Sequence, residues 1–268
     1  MALPDPSSSS TALVTGASSG IGEAIARELA GRGHGVTLVA RREERLRTIA
    51  ASLTAEHGVR AETITADLGE QSGRDRLVDS LDELGLTVEI LVNNAGFGDS
   101  ADFVAADRER MVEMVRLNCE ALLDLQGRYL PPMVERGRGT VINIASTAAF
   151  QPMPSNATYA ATKSFVLSLS EAVHEELRGT GVTLTAVCPG PVRTEFMENA
   201  DLDTAAEKVP EFFWMSSEEL AREAVGAAAK GKRAVVPGLI NRAGAIAGQH
   251  SPRGVALRLA RQAWRRAT

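Results

Sequence analysis

Thr15-Gly16-Ala17-Ser18-Ser19-Gly20-Ile21-Gly22 links a short apolar run to an amphipathic stretch that begins at residue 21. Glycines at a strand-to-helix turn let the backbone bend tightly and approach a pyrophosphate, and the free N–H groups of the helix N-terminus attract its charge. The segment therefore predicts a dinucleotide site. Its glycine spacing is not that of the GxGxxG fingerprint, and the alternative is a tight turn without a ligand.

Outward from this segment, β-branched runs alternate with longer amphipathic stretches. This alternation predicts βαβ units, and hence a doubly wound, Rossmann-like α/β fold with a parallel sheet flanked by helices. Strands are predicted at 12–15, 36–40, 61–65, 90–92, 140–145, 182–187 and 234–236, and helices at 21–30, 43–56, 72–84, 107–136, 155–178 and 217–229.

The composition is that of an ordinary globular protein. The 268 residues are 44% hydrophobic and 24% charged, which excludes collagen, coiled coil and wholesale disorder. No apolar run reaches the roughly 18 residues of a membrane span, and residues 1–10 lack the features of a signal peptide, so we expect a cytoplasmic protein. We expect a disordered arm at 1–10, a single domain at 11–240 and a tail at 241–268.

Charge is unevenly distributed along the chain. The net charge of −5 argues against a nucleic-acid partner, and residues 224–268 hold nine Lys or Arg and no acidic residue. A basic amphipathic helix near the C-terminus could lie on an anionic membrane or contact an acyl carrier protein, but we favour packing on its own domain or on a partner subunit. Two cysteines and four histidines without ligand spacing predict no metal site and no disulfide.

Two arginines follow the second predicted strand, where doubly wound folds place the adenosine ribose. An acidic residue at this point binds the ribose 2′-hydroxyl of NAD, whereas arginine pairs with the 2′-phosphate of NADP. Arg41 and Arg42 therefore favour NADP(H) over NAD(H), the alternative being two solvated charges at a helix start. Asp67 and Leu68 follow the third strand, where Asp67 could bond the adenine amine or serve as a helix N-cap.

A candidate catalytic group lies in the second half of the chain. Tyr159 and Lys163 are four residues apart in a helical pattern and so share one face. A nearby ammonium favours the phenolate, which predicts a lowered pKa for Tyr159. Ser146 follows a strand at the sheet edge where such folds bind ligands, and Asn118 is an amide in an apolar stretch, either a satisfied core group or part of the site.

These motifs together resemble the short-chain dehydrogenase/reductase family over about residues 11–195. The resemblance rests on TGASSGIG (15–22), NNAG (93–96), Asn118, Ser146, YAATK (159–163) and PGPVRT (189–194), in that order. It implies a seven-stranded sheet, an NAD(P)(H)-dependent interconversion of carbonyl and alcohol, and a homodimer or homotetramer. ARR (40–42) resembles the NADP-preferring branch, and VVPG (235–238) before a basic tail resembles bacterial proteins loosely labelled ketoacyl reductases.

The resemblance also assigns roles to residues. Tyr159 would be the acid and base, Lys163 would lower its pKa and bond the nicotinamide ribose, Ser146 would orient the substrate oxygen, and Asn118 would hold a water in a proton relay. The remaining cofactor contacts would come from Gly16, Ser18, Ser19, Gly20, Ile21, Gly22, Arg41, Arg42, Asp67, Leu68, Asn94, Ala95, Gly96, Pro189, Gly190, Val192 and Thr194.

The substrate end has no motif. In this family the region corresponding to 195–216 is a mobile lid, and its aromatic residues predict an apolar or bulky small-molecule carbonyl compound, unless they pack on the core or on a neighbouring subunit. The candidate pocket residues are Phe97, Phe150, Phe196, Phe212, Phe213 and Trp214. Two rival functions stay open: an epimerase or dehydratase on the same site, and a non-enzymatic NADP-binding module.

Overall fold

Seven parallel strands form one sheet in the order β3-β2-β1-β4-β5-β6-β7. The computed structural model describes residues 3–195, 210–250 and 254, with the backbone alone at 246–250. The apolar β-branched runs of the central strands form a parallel sheet because they are buried along almost their whole length between two layers of helices, whereas β3 and β7 at the sheet edges are only half-buried. The strands are β1 (Ser10–Thr15), β2 (Val36–Ala40), β3 (Ala61–Thr65), β4 (Thr87–Asn93), β5 (Gly139–Ile144), β6 (Val182–Val187) and β7 (Ala234–Val235).

Helices connect the strands and cover both faces of the sheet. This confirms the predicted doubly wound α/β fold. The helices are α1 (Gly20–Gly31), α2 (Glu43–His57), α3 (Gln71–Glu83), α4 (Arg108–Val115), α5 (Leu122–Glu135), α6 (Ala157–Glu176), α7 (Ser217–Ala229) and α8 (Leu239–His250).

The strand order reverses between β1 and β4. These two strands are hydrogen-bonded neighbours, although three helices and two strands separate them in the chain. In open α/β sheets the crevice at the carboxyl ends of such strands is the usual ligand site, because the connections leave to opposite faces there. The glycine segment after β1 and the NNAG segment at the end of β4 meet at this crevice.

Buried amides hold the central strands and helices together beneath the crevice. Asn93 Nδ2 donates to Asn143 Oδ1 at 2.9 Å, joining β4 to β5. Asn143 Nδ2 in turn donates to Gln126 Oε1 at 2.8 Å and to Ser170 Oγ at 2.9 Å, which ties α5 and α6 to the sheet. Because buried hydrogen bonds tolerate little displacement, this network fixes where α6 lies against β5.

The predicted helix over 107–136 is divided in the structure. α4 ends at Val115, a π-helical turn spans Arg116–Ala121, and α5 begins at Leu122. π-Helical turns of this kind frequently occur at functional sites, because the extra residue re-aims a side chain. Here the turn contains Asn118.

The predicted ends of the domain also differ from the structure. Ser10 belongs to β1 rather than to a disordered arm, and Leu3 packs against the core. A helix, α8, spans 239–250, whereas we placed the start of the tail at 241. Apart from residue 254, the rest of the predicted basic helix lies outside the described residues. In the part of the chain that is described, no helix is long and apolar enough to cross a bilayer.

Candidate active site

The glycine segment forms a turn that admits no side chain at its centre. Gly16 and Gly20 have left-handed φ values of +63° and +57°. A Cβ on Gly22 would lie 2.4 Å from the Gly16 carbonyl oxygen, so the first turn of α1 packs directly on the segment. The turn leaves the N-terminus of α1 open toward the crevice, which is where a pyrophosphate would bind.

Thr15 and Asn94 brace this turn from the neighbouring strand. Asn94 Nδ2 donates to the Thr15 carbonyl at 2.9 Å and to the Gly16 carbonyl at 3.2 Å. Thr15 Oγ1 accepts from the backbone N–H groups of Asn94 and Ala95 at 2.9 and 3.0 Å. We predicted Asn94 as a ribose contact, but its amide nitrogen is engaged by the glycine segment itself. Thr15 was not predicted, although it precedes the first glycine.

A cleft of about 520 Å³ opens beside this turn, large enough for part of a dinucleotide. The described residues contain no cluster of His, Cys, Asp or Glu that could hold a metal ion. The cleft brings together nine predicted cofactor residues: Gly16, Ser18, Ser19, Arg41, Arg42, Asp67, Leu68, Ala95 and Gly96. Phe97 also lines it, as do Ala40, Arg110 and Arg116, which were not predicted as cofactor contacts.

Arg42 is held against the glycine segment, whereas Arg41 is not. Arg42 Nε donates to Ser18 Oγ at 3.1 Å, and Nη2 donates to Ser19 Oγ at 2.7 Å. Its Nη1 donates to Glu195 Oε2 at 2.7 Å. Arg41 is 77% exposed and lies 3.9 Å from Asp67. A guanidinium fixed at the ribose end of the cleft is chemically suited to a phosphate, so the residues present fit NADP(H).

Asp67 lies on the cleft wall, but it is not the helix N-cap that we considered. α3 begins at Gln71 with Glu70 at the N-cap position. The Asp67 carboxylate instead accepts from the Gly69 N–H at 3.0 Å, which shapes the turn between β3 and α3. Leu68 beside it is buried, and its carbonyl accepts from Arg74.

Ser146, Tyr159 and Lys163 converge at the end of β5. Ser146 caps a 3-10 turn by accepting from the Ala148 N–H at 3.1 Å, and its hydroxyl is within hydrogen-bonding reach of Tyr159. Lys163 is buried, and its Nζ donates to the Ile144 carbonyl at 2.9 Å. The same Nζ lies 5.8 Å from the Tyr159 ring centre. The predicted trio is therefore assembled on one helix face and one strand end.

The electrostatics of this trio differ from the sequence prediction. Tyr159 is half-buried, and exclusion of water by the surrounding protein raises its pKa to about 12; the hydrogen bond with Ser146 offsets only part of that rise. Burial lowers the pKa of Lys163 to about 8. The predicted lowering of the Tyr159 pKa is wrong for the free protein, because desolvation raises it and the hydrogen bond with Ser146 opposes that rise only in part.

Asn118 is a satisfied polar group that also adjoins Lys163. Its Nδ2 donates to the Phe97 carbonyl at 2.9 Å and to Thr162 Oγ1 at 3.1 Å, and its Oδ1 accepts from the Phe97 N–H at 3.1 Å. A Cβ on Gly96 would lie 2.8 Å from Asn118 Oδ1 and 3.7 Å from Lys163 Nζ. The two alternatives that we kept for Asn118 are therefore compatible with each other.

The segment after β6 closes over the glycine turn. A Cβ on Gly20 would lie 2.9 Å from Thr194 Cγ2, so Thr194 sits directly above that turn. Val192 forms a parallel bridge with Met215, and the Pro189 carbonyl accepts from the Thr147 N–H at 2.8 Å. The predicted PGPVRT motif thus lies between the glycine turn and the 3-10 turn that begins just after Ser146.

A known protein family matches most of this chain. The family model described as short chain dehydrogenase matches residues 10–205. The chain belongs to the short-chain dehydrogenase family. It is therefore an oxidoreductase of that family, as the resemblance of its motifs predicted.

Individual relatives cover most of the chain. An uncharacterized oxidoreductase of Staphylococcus epidermidis is 36% identical over 191 residues, which are 71% of this chain and 81% of that protein. Among solved structures, a short-chain dehydrogenase from Sphingobium yanoikuyae in complex with NADPH has a TM-score of 0.79 at 36% identity, covering 89% of this chain and 92% of that one. The bulky-bulky ketone specific alcohol dehydrogenase from Comamonas testosteroni has a TM-score of 0.75 at 32% identity, covering 96% and 93%.

The aromatic residues that we predicted for the pocket of this short-chain dehydrogenase divide into two groups. Phe97 lines the cleft, with the Arg110 guanidinium 5.2 Å above its ring. Phe150 packs against a buried cluster around Ala145 and Val166, which is the core-packing alternative. Phe196 lies outside the described residues.

The later aromatic residues lie on a 3-10 turn over Glu211–Phe213 and just after it. Phe212 and Phe213 contact each other with ring centres 4.6 Å apart, and Arg193 lies 5.2 Å over the Trp214 ring. The contact with Arg193 places Trp214 beside the PGPVRT motif.

Asn241 is a buried residue of this region that sequence reasoning missed. A Cβ on Gly190 would lie 2.5 Å from its side chain, and its Nδ2 donates to the Phe213 carbonyl at 3.1 Å. Asn241 thereby connects α8 to the cofactor motif and to the aromatic turn. The signal was available, because Asn241 is a lone amide in an apolar stretch, as Asn118 is.

Proposed function

We propose that this short-chain dehydrogenase is an NADP(H)-dependent oxidoreductase that interconverts a carbonyl and a secondary alcohol on an apolar or bulky substrate. The observation that carries the proposal is the convergence of Ser146, Tyr159 and Lys163 beside Gly96, which lines the same cleft as Arg42. The NADPH complex of the Sphingobium relative and the bulky-ketone specificity in the name of the Comamonas relative support the cofactor and the substrate class.

Each residue of the trio has a role that its surroundings support. The cofactor, when bound, supplies the hydride that goes to the carbonyl carbon. Ser146 holds the carbonyl oxygen by a hydrogen bond, and Tyr159 donates its phenolic proton to that oxygen, leaving a phenolate. Lys163 stabilises the phenolate by its positive charge. In the reverse direction the phenolate accepts the proton of the alcohol.

The raised pKa of Tyr159 suits the reducing direction. With a pKa of about 12 in the free protein, the phenol is protonated at neutral pH, which is the state that proton donation requires. Oxidation requires the phenolate, which is scarce at neutral pH until the cofactor and substrate alter the surroundings. The phenol of the free protein is therefore in the protonation state from which carbonyl reduction starts.

Replacing Tyr159 with Phe tests the proposal. We expect turnover of aldehydes or bulky ketones with NADPH to fall at least about a hundredfold, because general acid catalysis contributes that much, while the Kd for NADPH stays within a factor of about three. Turnover would be followed by NADPH absorbance and binding by nicotinamide fluorescence. Tyr129→Phe is the matched control: the Tyr129 hydroxyl lies on α5, buried and without a hydrogen-bond partner among the described residues, so this variant keeps full turnover.

Two outcomes would contradict the proposal. If Tyr159→Phe turns over as fast as the wild type, the phenol is not the acid. If the wild type binds NADPH tightly but reduces no member of an aldehyde, ketone, ketoester and steroid panel, a binding module becomes the better description. An epimerase or dehydratase would show product formation with no net change in NADPH.

A further inference from the structure

The Arg42 guanidinium forms an ion pair with a carboxylate of the same chain. Glu195 Oε2 lies 2.7 Å from Arg42 Nη1, and Glu195 Oε1 lies 3.7 Å from Arg45 Nη2. Among the described residues, the other hydrogen-bond partners of Arg42 are the hydroxyls of Ser18 and Ser19 and the Ser18 carbonyl, all neutral. Glu195 is therefore the anion on the guanidinium that faces the ribose end of the cleft.

The position of Glu195 is fixed by contacts of the residues that precede it in the chain. Glu195 follows Thr194, whose methyl group sits over Gly20 of the glycine turn. Upstream, Arg193 N–H donates to the Met215 carbonyl, and Met215 N–H donates to the Pro191 carbonyl at 3.2 Å. These contacts hold the Glu195 carboxylate against Arg42, although the two residues are 153 positions apart in the sequence.

We infer that Glu195 occupies the position on Arg42 that the 2′-phosphate of NADP(H) takes, so that it competes with the phosphate and weakens NADP(H) binding without affecting NAD(H). The inference rests on the proposed NADP(H) dependence. It makes Glu195 a residue that determines cofactor specificity, acting against the preference that Arg42 creates.

The charges support the competition. The hydrogen bond from Arg42 holds the pKa of Glu195 below its ordinary value, so the carboxylate is ionised at neutral pH. A ribose phosphate carries nearly two negative charges. If Glu195 stays about 5 Å from the phosphate in half-exposed surroundings, repulsion weakens binding about tenfold. If Glu195 moves away instead, the Arg42–Glu195 ion pair must break before the phosphate binds, and this cost also weakens NADP(H) binding.

Glu195→Gln is the variant that tests this inference, because it removes the charge and keeps the shape. The free protein would be titrated calorimetrically with NADPH, NADH, 2′,5′-ADP and 5′-AMP. We expect the Kd for NADPH and for 2′,5′-ADP to fall about tenfold, with those for NADH and 5′-AMP within twofold of the wild type. The gain shrinks in 0.5 M salt, because screening acts on exposed charges.

Matched variants separate this effect from a general change of charge. Glu62→Gln removes a carboxylate paired with Arg60 at 2.8 Å on the surface, and we expect it to leave all four Kd values unchanged. Glu195→Ala, which lacks the amide, should tighten NADPH binding in the same direction as Glu195→Gln. Arg42→Ala should weaken NADPH and 2′,5′-ADP only.

The possible failures are distinguishable. If Arg42→Ala weakens NADPH binding but neither Glu195 variant tightens it, the inference is wrong and the NADP(H) assignment stands. If the Glu195 variants weaken NADPH binding, Glu195 supports Arg42 instead of competing, and the inference is again wrong. If Arg42→Ala leaves the NADPH to NADH ratio unchanged and 2′,5′-ADP binds no better than 5′-AMP, both the inference and the proposed cofactor are wrong.

Discussion

Replacing the buried lysine with methionine should stabilise the free protein while it abolishes turnover. Lys163 is held as an ammonium inside the protein at neutral pH, and its Nζ donates a hydrogen bond to the Ile144 carbonyl. Burial lowers its pKa from 10.5 to about 8. Lys163→Met keeps the length of the side chain and removes the charge, so it isolates the cost of that burial.

The sign and size follow from proton linkage. Between pH 8 and 10.5 the unfolded chain holds the Lys163 proton and the folded one does not, so folding becomes more favourable as the pH rises through this window. Below pH 8 the full penalty applies, about 3 kcal/mol. The lost hydrogen bond to Ile144 costs about 1 kcal/mol. We therefore expect Lys163→Met to be more stable by about 2 kcal/mol at pH 7, or roughly 6 °C in Tm.

Urea unfolding of both proteins at pH 7 and pH 10 measures this difference. It should shrink toward pH 10, and comparing the two proteins cancels the titration of the tyrosines and cysteines. Lys232→Met, at an exposed lysine near β7, serves as the control and should change stability by less than about 0.5 kcal/mol. An unfolding midpoint for Lys163→Met at or below that of the wild type at pH 7, or a difference independent of pH, would refute the reasoning.

Two further substitutions probe the framework of the site. Gly22→Ala places a Cβ 2.4 Å from the Gly16 carbonyl oxygen, and we expect loss of measurable NADPH binding and a destabilisation of about 2 kcal/mol, read by titration and urea unfolding; unchanged binding would show that the turn can relax. Arg74→Met removes a buried guanidinium that pairs with Glu120 and Asp124, and we expect a loss of about 2 kcal/mol in urea unfolding, because the carboxylates are partly exposed; a change below about 0.5 kcal/mol would contradict this.

The sheet was predictable because its strands are buried on both faces. A run such as that of β6 is apolar or β-branched at every position, so the pattern identifies the strand without any tertiary information. The division of the 107–136 helix was not predictable. The π-helical turn at the division contains Asn118, which hydrogen-bonds to the backbone of Phe97, 21 residues earlier in the chain. A local helical pattern does not reveal that contact.

The candidate site shows the same division. The four-residue spacing of Tyr159 and Lys163 places both on one face of α6, and Ser146 follows the end of β5. The sequence was therefore enough to predict that the three residues lie close together. The pairing of Arg42 with Glu195 joins residues 153 positions apart, and either residue alone is typical of a solvated surface charge. Long-range pairs of this kind require the fold before they can be recognised.

The sequence prediction was least accurate for the pKa of Tyr159. The i to i+4 spacing correctly brings Lys163 to the same helix face as Tyr159, and a positive charge there does favour the phenolate. The spacing does not reveal how much water both groups lose. In the structure that loss dominates: it raises the pKa of the phenol and lowers that of Lys163, so both groups are shifted toward their neutral forms, although Lys163 is still mostly an ammonium at pH 7. A protonated phenol next to an ammonium is suited to giving up its proton when negative charge develops on a substrate oxygen. The same burial that makes Lys163 costly to the free protein thus keeps Tyr159 protonated for reduction.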